Sequence, residues 1–209
     1  MTLNIQTTVN YQYIDETTGK YTMLQGGSSS GKTFATLQWI IVQALTSELV
    51  IDIFRKHAAS HNKSLLRDWE RLLTELNVPH TVNKSERSYK IGRSVVTFCG
   101  ADDPQKLRGP RRDIAYLNEA NELTVEDFMQ IDIRSKRIVM DFNPSMMRHW
   151  LYELLKGPKA DIISFHRSTY RDNPFLSKDI IRTIEDLRID KPAKWKVYGE
   201  GEAATAEEI

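Results

Sequence analysis

The apolar residues of the chain fall into short runs, separated by longer segments in which they recur every three or four positions. The short runs predict buried strands, and they are YTMLQ, ELVIDIF, DIAYL, KRIVMDF and ADIISFH. The segment NKSLLRDWERLLTELN has leucines and a tryptophan at helical spacing, which predicts an amphipathic helix ending before Pro79. Because strands alternate with helices, we predict an α/β fold with a mostly parallel sheet and helices on both faces.

Two more apolar runs, SYKI and SVVTFCG, predict a hairpin whose turn contains Gly92 and Arg93. Further helices are predicted over Lys32 to Leu45 and in TVEDFMQI, MRHWLYELLK, SKDIIRTIEDLRI and PAKWKVYGE. The last two helices have no strand between or after them. We therefore predict a core of residues 1–167 and a small helical appendage of residues 168–209.

Composition is compatible with one globular domain, because 209 residues with 40% hydrophobic side chains are enough to bury a core. No apolar run is long enough to span a bilayer, and the N-terminus lacks the pattern of a signal peptide. The single cysteine, Cys99, lies in an apolar run and is expected to be a buried small residue in a reducing compartment. Two basic clusters, Lys84–Arg93 and Lys106–Arg112, are either nucleic-acid contacts or solvated faces.

The segment GGSSSGKT, from Gly26 to Thr33, lies between a predicted strand and a predicted helix. It fits the phosphate-loop pattern, in which small residues let backbone N–H groups converge on phosphate oxygens and the next helix adds its dipole. Lys32 is expected to pair with the outer phosphates, and the Thr33 hydroxyl with Mg²⁺. The predicted phosphate-binding residues are Gly26, Gly27, Ser28, Ser29, Ser30, Gly31, Lys32 and Thr33. The alternative is a flexible serine-glycine turn.

A second polar element follows the predicted strand DIAYL, at whose carboxyl end stand Asn118 and Glu119. Ligands of open α/β sheets bind at that end of the strands. A glutamate there can orient and deprotonate a water that attacks a γ-phosphate, which distinguishes a hydrolase from a kinase. The alternative makes Glu119 only the first residue of the following helix. Guanine specificity is unsupported, because NKSL and NKSE lack the aspartate of a guanine-binding motif.

Four segments together, GGSSSGKT, DIAYLNEAN, VMDFNPS and STYRDNPFL, resemble the ATPase domain of phage large terminase subunits over almost the whole chain. The resemblance implies an ASCE/RecA-like P-loop NTPase that binds ATP and Mg²⁺ and pumps viral DNA into procapsids. It also implies double-stranded DNA, the portal protein and the small terminase subunit as partners. A homo-oligomeric ring, expected to be a pentamer, would act in the host cytoplasm without a membrane.

The resemblance also implies roles for individual residues. Glu119 would be the catalytic glutamate, and Asn143 the coupling residue that senses the γ-phosphate, although Asn143 also fits an ordinary Asn-Pro turn. Arg108 would be the arginine finger that reaches a neighbouring subunit's ATP, with Arg111 and Arg112 as rivals. The segment from Ser168 onward resembles the lid subdomain. Two other arginines, Arg55 and Arg171, either face the nucleotide or form surface salt bridges.

The chain departs from the family pattern at Asn118, where aspartate is usual. An amide supplies no negative charge to Mg²⁺, so metal affinity is expected to depend more on Thr33 and the phosphates, with Asn118 beside them. Asp113 and Asp141 are possible substitutes that spacing alone does not place. Serines also occupy the positions where some terminases carry a basic loop residue.

Full-length terminases follow the ATPase with a nuclease domain. No acidic metal cluster of that kind is found in this sequence, so we expect the nuclease domain to be absent from this chain and expect no nuclease activity from it.

Candidates for adenine contacts are Gln6, Tyr11, Tyr13 and Gln25. Two alternative functions stay open: a small-molecule kinase, and a nucleotide-binding regulatory module without chemistry, for which Asn118 is the best argument.

Overall fold

The computed structural model describes residues 5–59, 64–102, 107–144 and 149–203. The strands are β1 (Tyr21–Gly26), β2 (Val50–Arg55), β3 (His80–Asn83), β4 (Ser88–Ile91), β5 (Ser94–Gly100), β6 (Arg112–Leu117), β7 (Ser135–Phe142) and β8 (Ile163–Ser168). The α-helices are α1 (Val9–Glu16), α2 (Lys32–Thr46), α3 (Leu65–Glu75), α4 (Val125–Asp132), α5 (Trp150–Lys156), α6 (Lys178–Asp190) and α7 (Pro192–Tyr198).

All eight of these strands form one sheet in the order β3-β4-β5-β2-β6-β7-β1-β8. The six strands from β5 to β8 in this order pair in parallel, and β3 and β4 add an antiparallel edge. The prediction of a mostly parallel sheet and of the β4–β5 hairpin is therefore confirmed. The sequence did not reveal β3, because its four residues are all exposed and show no apolar alternation.

The N-terminal segment forms helix α1, which the sequence analysis did not predict. Its residues VNYQYIDE are mostly polar, and the helix is set by the cap at Thr8, whose hydroxyl accepts from the Tyr11 N–H at 3.4 Å. Of its side chains, Asn10 and Ile14 are buried, and the helix packs on α2. Tyr11 and Tyr13 therefore lie on a helix, and the Tyr13 hydroxyl donates to the Phe165 carbonyl of β8 at 3.0 Å.

Apolar side chains cover both faces of the sheet. One cluster includes Trp39 of α2 and Trp69 of α3, and the other includes Phe128 of α4 and Leu151 of α5. Cys99 is buried in the second cluster, as predicted. Among the helices that the structure describes, none combines the length and apolar character that a membrane span requires.

The C-terminal helices α6 and α7 pack on each other, and the residues after α7 return to the sheet. The Gln25 side chain at the end of β1 donates a hydrogen bond to the Gly201 carbonyl at 2.8 Å. The last strand ends at Ser168, close to the predicted boundary. The division into a core of residues 1–167 and an appendage of residues 168–209 remains a prediction.

Arg112, one of the rivals for the arginine finger, begins strand β6 with a fully buried side chain. Its Nε atom lies 2.8 Å from Oδ2 of Asp52 on β2, and its guanidinium stacks 4.9 Å from the Phe54 ring centre. A side chain enclosed in this way does not reach a neighbouring subunit. Arg112 is therefore a structural residue of the sheet.

We expect Arg112→Met to lower the free energy of unfolding by about 3 kcal/mol or more, because it leaves the Asp52 charge buried without this guanidinium. The matched control is Lys136→Met, which removes the exposed cation facing Asp113 and should cost less than about 1 kcal/mol. Urea denaturation of both variants measures the difference. Equal losses in the two variants would contradict the structural role of Arg112.

Candidate active site

The loop from Gly26 to Thr33 joins β1 to α2 at the carboxyl edge of the parallel strands. Gly31 has φ of 81°, in the left-handed region that favours glycine. A Cβ at Gly27 would lie 2.0 Å from the Tyr198 carbonyl oxygen at the end of α7, so the approach of that helix requires glycine there. The Asn10 and Asn173 side-chain amides donate to the carbonyls of Ser30 and Ser29, each at 2.8 Å.

Lys32, at the start of α2, is buried against the loop. Its ammonium donates to the carbonyls of Gly26 at 2.8 Å and Gly27 at 3.1 Å, and to the Ser30 hydroxyl at 3.1 Å. Burial lowers the pKa of Lys32 from 10.5 to about 8, while the carboxylates of Asp141 and Glu119 oppose this change. The cation is thus enclosed beside the loop that is predicted to bind phosphate.

Asp141, near the end of β7, is the centre of a hydrogen-bond network and is only 2% exposed. Its carboxylate accepts from the Thr33 hydroxyl at 3.0 Å and from the backbone N–H of Glu119 at 2.8 Å. The Asn118 amide donates to both carboxylate oxygens, at 3.1 and 3.0 Å, and the Tyr116 hydroxyl also donates to one of them. The network joins the loop to the predicted catalytic segment.

Asp113, the other possible substitute for the missing aspartate, lies far from this network at the opposite end of β6. It accepts from the backbone N–H of Val50 at 2.9 Å and pairs with Lys136 at 2.7 Å. Of the two candidates, the structure brings Asp141 to the site and leaves Asp113 outside it.

Glu119 is the second residue after β6 and adopts left-handed backbone angles, with φ of 55°. It precedes a short 3₁₀ turn over Ala120–Glu122, and its side chain makes no capping hydrogen bond there. Its carboxylate instead pairs with Arg55 at 3.0 Å. Burial raises the pKa of Glu119, an effect that the Arg55 guanidinium opposes.

Arg55, at the end of β2, is buried within the site and does not form a surface salt bridge, which was one of the two alternatives for it. Its Nε atom donates to Oδ1 of Asn118 at 2.6 Å, in addition to the pair with Glu119. Arg171 does form an exposed pair, with Glu200 at 3.2 Å. The position of Arg55 at the end of a buried strand was the sequence signal for its place in the site.

Asn143 follows β7 and its Oδ1 accepts from the Lys32 ammonium at 3.2 Å. The structure therefore brings Lys32, Thr33, Glu119 and Asn143 together at one edge of the sheet. Arg108 and Arg111 are exposed and do not line this cleft. Within the described ranges, no group of three or more histidine, cysteine, aspartate or glutamate side chains could hold a metal ion by itself.

A cleft of about 760 Å³ extends from the loop to helix α3. Of the four residues predicted to contact adenine, Gln6 lines the cleft, whereas Tyr11, Tyr13 and Gln25 do not. Tyr13 stacks on His166, with ring centres 4.6 Å apart. Other residues that line the cleft were not identified from the sequence. They come from three separate segments, and they are Phe34, Gln38, Arg71, Leu72 and Phe175.

The low pKa of Lys32 predicts a pH-dependent contribution to stability. A lysine whose pKa is lower in the folded than in the unfolded state binds fewer protons when folded, so its contribution to the free energy of unfolding rises with pH from about 8 to 10.5. The full rise is about 3 kcal/mol. Urea denaturation of the wild type and of Lys32→Met, from about pH 7 to about pH 10, isolates this effect. A difference between them that does not change with pH would contradict the assignment.

Known phage proteins resemble this chain over most of its length. Two curated relatives are the PBSX phage terminase large subunit of Bacillus subtilis strain 168, 21% identical over 211 residues, and the terminase large subunit of Bacillus phage SPP1, 22% identical over 206 residues. Each alignment covers 87% of this chain and 48% of the relative. The chain thus spans about half the length of the curated relatives it matches.

Solved structures share the fold. The large terminase of a thermophilic bacteriophage superposes with a TM-score of 0.77 at 14% identity, over 94% of this chain and 53% of that chain. The large terminase ATPase domain of Thermus phage P74-26 gives 0.71 at 15% identity, over 97% and 96%. The first of these two proteins has also been solved with ADP and with ATP-gamma-S. The family model for the phage terminase large subunit matches residues 18–202, and the chain therefore belongs to that family.

Proposed function

We propose that this chain is the ATPase motor domain of a DNA-packaging terminase, which couples ATP hydrolysis to the movement of double-stranded DNA into a procapsid. The observation that carries the proposal is that Lys32, Thr33 and Glu119 meet at one cleft, where Asp141 joins Thr33 to the Glu119 backbone. Family membership supports the same function. A carboxylate beside the phosphate loop can accept the proton of an attacking water, as hydrolysis requires.

In the proposed reaction, the N–H groups of the loop and the Lys32 ammonium hold the triphosphate of ATP. Glu119 orients a water and accepts its proton. Its raised pKa makes the carboxylate a stronger base near neutral pH. Arg55 lies 3.0 Å from the Glu119 carboxylate and orients it. The carboxylate then turns toward the water. Asn143, already within 3.2 Å of the Lys32 ammonium, senses the outermost phosphate.

The oxygen donors of the site fit Mg²⁺, which prefers hydroxyl, carboxylate and phosphate oxygens. The Thr33 hydroxyl, 3.0 Å from the Asp141 carboxylate, is the proposed ligand from the loop. Asn118 faces that hydroxyl with its amide nitrogen, at 3.2 Å, which has no lone pair for a cation. Of the two predicted metal residues, we therefore propose Thr33. When bound, Mg²⁺ neutralises charge on the outer phosphates.

The remaining assignments extend the proposal to the whole motor. Residues 168–209 would act as a lid on the core of residues 1–167, and the contact of Tyr198 with Gly27 supports a link between lid and loop. DNA, the portal protein and the small terminase subunit are the proposed partners, and a pentameric ring in the host cytoplasm is the proposed assembly. The cluster Lys84–Arg93 is a candidate for DNA contact, whereas the cluster Lys106–Arg112 includes buried Arg112 and begins outside the described residues.

We expect Glu119→Gln to lower kcat for ATP hydrolysis about 10²–10⁴-fold, because the amide does not accept a proton, while ATP affinity changes little. The matched control is Glu122→Gln, an exposed glutamate three residues along the chain, which should hydrolyse ATP normally. A phosphate-release assay gives kcat, and fluorescence titration with a labelled ATP gives the affinity. Normal turnover by Glu119→Gln would exclude this residue as the base.

If Arg108 completes a neighbouring subunit's site, specific ATPase activity should rise with protein concentration. Arg108→Ala should lower activity about 10³–10⁵-fold. A mixture of Arg108→Ala and Glu119→Gln should recover activity, because one subunit supplies the arginine and the other the glutamate. Arg111→Ala, the exposed rival, should behave as the wild type. Failure of the mixture to recover, or loss of activity in Arg111→Ala instead, would overturn the assignment of Arg108.

A further inference from the structure

We infer that Asp141 supplies the negative charge for the divalent cation that other family members take from the residue before the catalytic glutamate, where this chain has Asn118. The inference rests on the proposed function, because it assigns Asp141 to the divalent cation that accompanies ATP in that function. It also accounts for Asn118, because the amide at position 118 faces the carboxylate at position 141. In this chain the carboxylate lies near the end of β7, the strand adjacent to β6.

The neighbours of the Asn118 amide fix its orientation. Its Oδ1 accepts from Arg55 Nε at 2.6 Å, and its Nδ2 lies 3.0 and 3.1 Å from the two Asp141 oxygens. The reverse orientation would put an N–H against the N–H of Arg55 and an oxygen against two carboxylate oxygens. Asn118 therefore presents only a donor to the site.

Asp141 is the carboxylate in hydrogen-bond contact with the Thr33 hydroxyl, at 3.0 Å. At 2% exposure its charge is little screened by water. Strands β6 and β7 pair in parallel with Leu117 opposite Met140, so position 118 is the neighbour of position 141. Because this neighbour is an amide, Asp141 faces a donor instead of a second carboxylate.

The two positions carry different residues for an electrostatic reason. An aspartate at both positions would bring carboxylate oxygens to about 3 Å from each other, and like charges so close oppose ionisation of one of the pair. An amide at both positions would leave the Thr33 hydroxyl without a carboxylate neighbour. With one carboxylate and one amide at positions 118 and 141, a carboxylate is available for the cation and no second carboxylate repels it.

The test compares the affinity for fluorescent mant-ATP with Mg²⁺ and with EDTA, using the full chain. Asp141→Asn should lose about tenfold or more of the affinity that Mg²⁺ adds, as expected for about 1.4 kcal/mol of lost interaction. Its affinity in EDTA should stay the same or increase, because a negative charge near the phosphates has been removed. Asp113→Asn, at the far end of β6, is the matched control and should keep the wild-type effect of Mg²⁺.

The decisive variant is the exchange Asn118→Asp with Asp141→Asn, which restores one carboxylate on the other strand. We expect it to recover most of the affinity that Mg²⁺ adds and that Asp141→Asn loses. Affinity for Mn²⁺ in the presence of ADP, followed by the electron paramagnetic resonance of free Mn²⁺, should show the same order without any hydrolysis. If Asp141 only holds the local structure, Asp141→Asn will weaken binding equally with Mg²⁺ and EDTA, and this result would overturn the inference.

Two further outcomes keep the inference separate from the proposed function. Absence of mant-ATP binding to the wild type under both conditions would reject the proposed function, whereas wild-type binding with an unchanged Mg²⁺ effect in Asp141→Asn would reject only the role of Asp141. If the variants do not fold, carbon-detected NMR of the wild type provides the test. Mn²⁺ with ADP should broaden the assigned carboxylate signal of Asp141 and not that of Asp113, and equal broadening would contradict the inference.

Discussion

Parallel pairing of β6, β7 and β1 is the constraint on which the candidate site depends. The register sets Gln25 opposite Phe142 and Leu117 opposite Met140, so the residues after these strands emerge side by side. Parallel strands end at a common edge, and the polar residues that would interrupt a strand collect there. The contacts of Lys32 with Asn143 and of Thr33 with Asp141 follow from this pairing, although more than 100 residues separate the partners in sequence.

Buried polar groups contact the two charges at this edge. Asp141 accepts hydrogen bonds from Thr33, Asn118 and the Glu119 N–H, and Lys32 donates to carbonyl and hydroxyl oxygens. The lowered pKa of Lys32 and the raised pKa of Glu119 share one physical cause, which is burial that penalises the charged form of each group. Groups with perturbed pKa values that share a cleft are typical of functional sites, where a chain keeps polar groups at the expense of stability.

The C-terminal helices belong to the same physical unit as the loop. A glycine at position 27 permits the end of α7 to approach the loop backbone, and the Asn173 amide binds the Ser29 carbonyl from the segment before α6. The loop is therefore held by β1 and α2 on one side and by the terminal segment on the other. The end of α7 therefore touches the loop backbone directly at Gly27.

The sequence by itself determined the alternation of strands and helices, the glycine- and serine-rich loop between β1 and α2, and the position of Asn118 and Glu119 after a strand. These features are local, because apolar periodicity and glycine spacing act over a few residues. The sequence did not determine α1 or β3, because their residues lack a clear apolar pattern. It also did not determine which cleft residues meet opposite the loop.

Only the tertiary structure decided between Asp113 and Asp141, which lie at opposite ends of neighbouring strands in similar apolar runs. It also decided that Arg55 is enclosed in the site and Arg112 in the sheet, because strand order, register and burial arise from pairing between distant segments and are absent from the local pattern of residues.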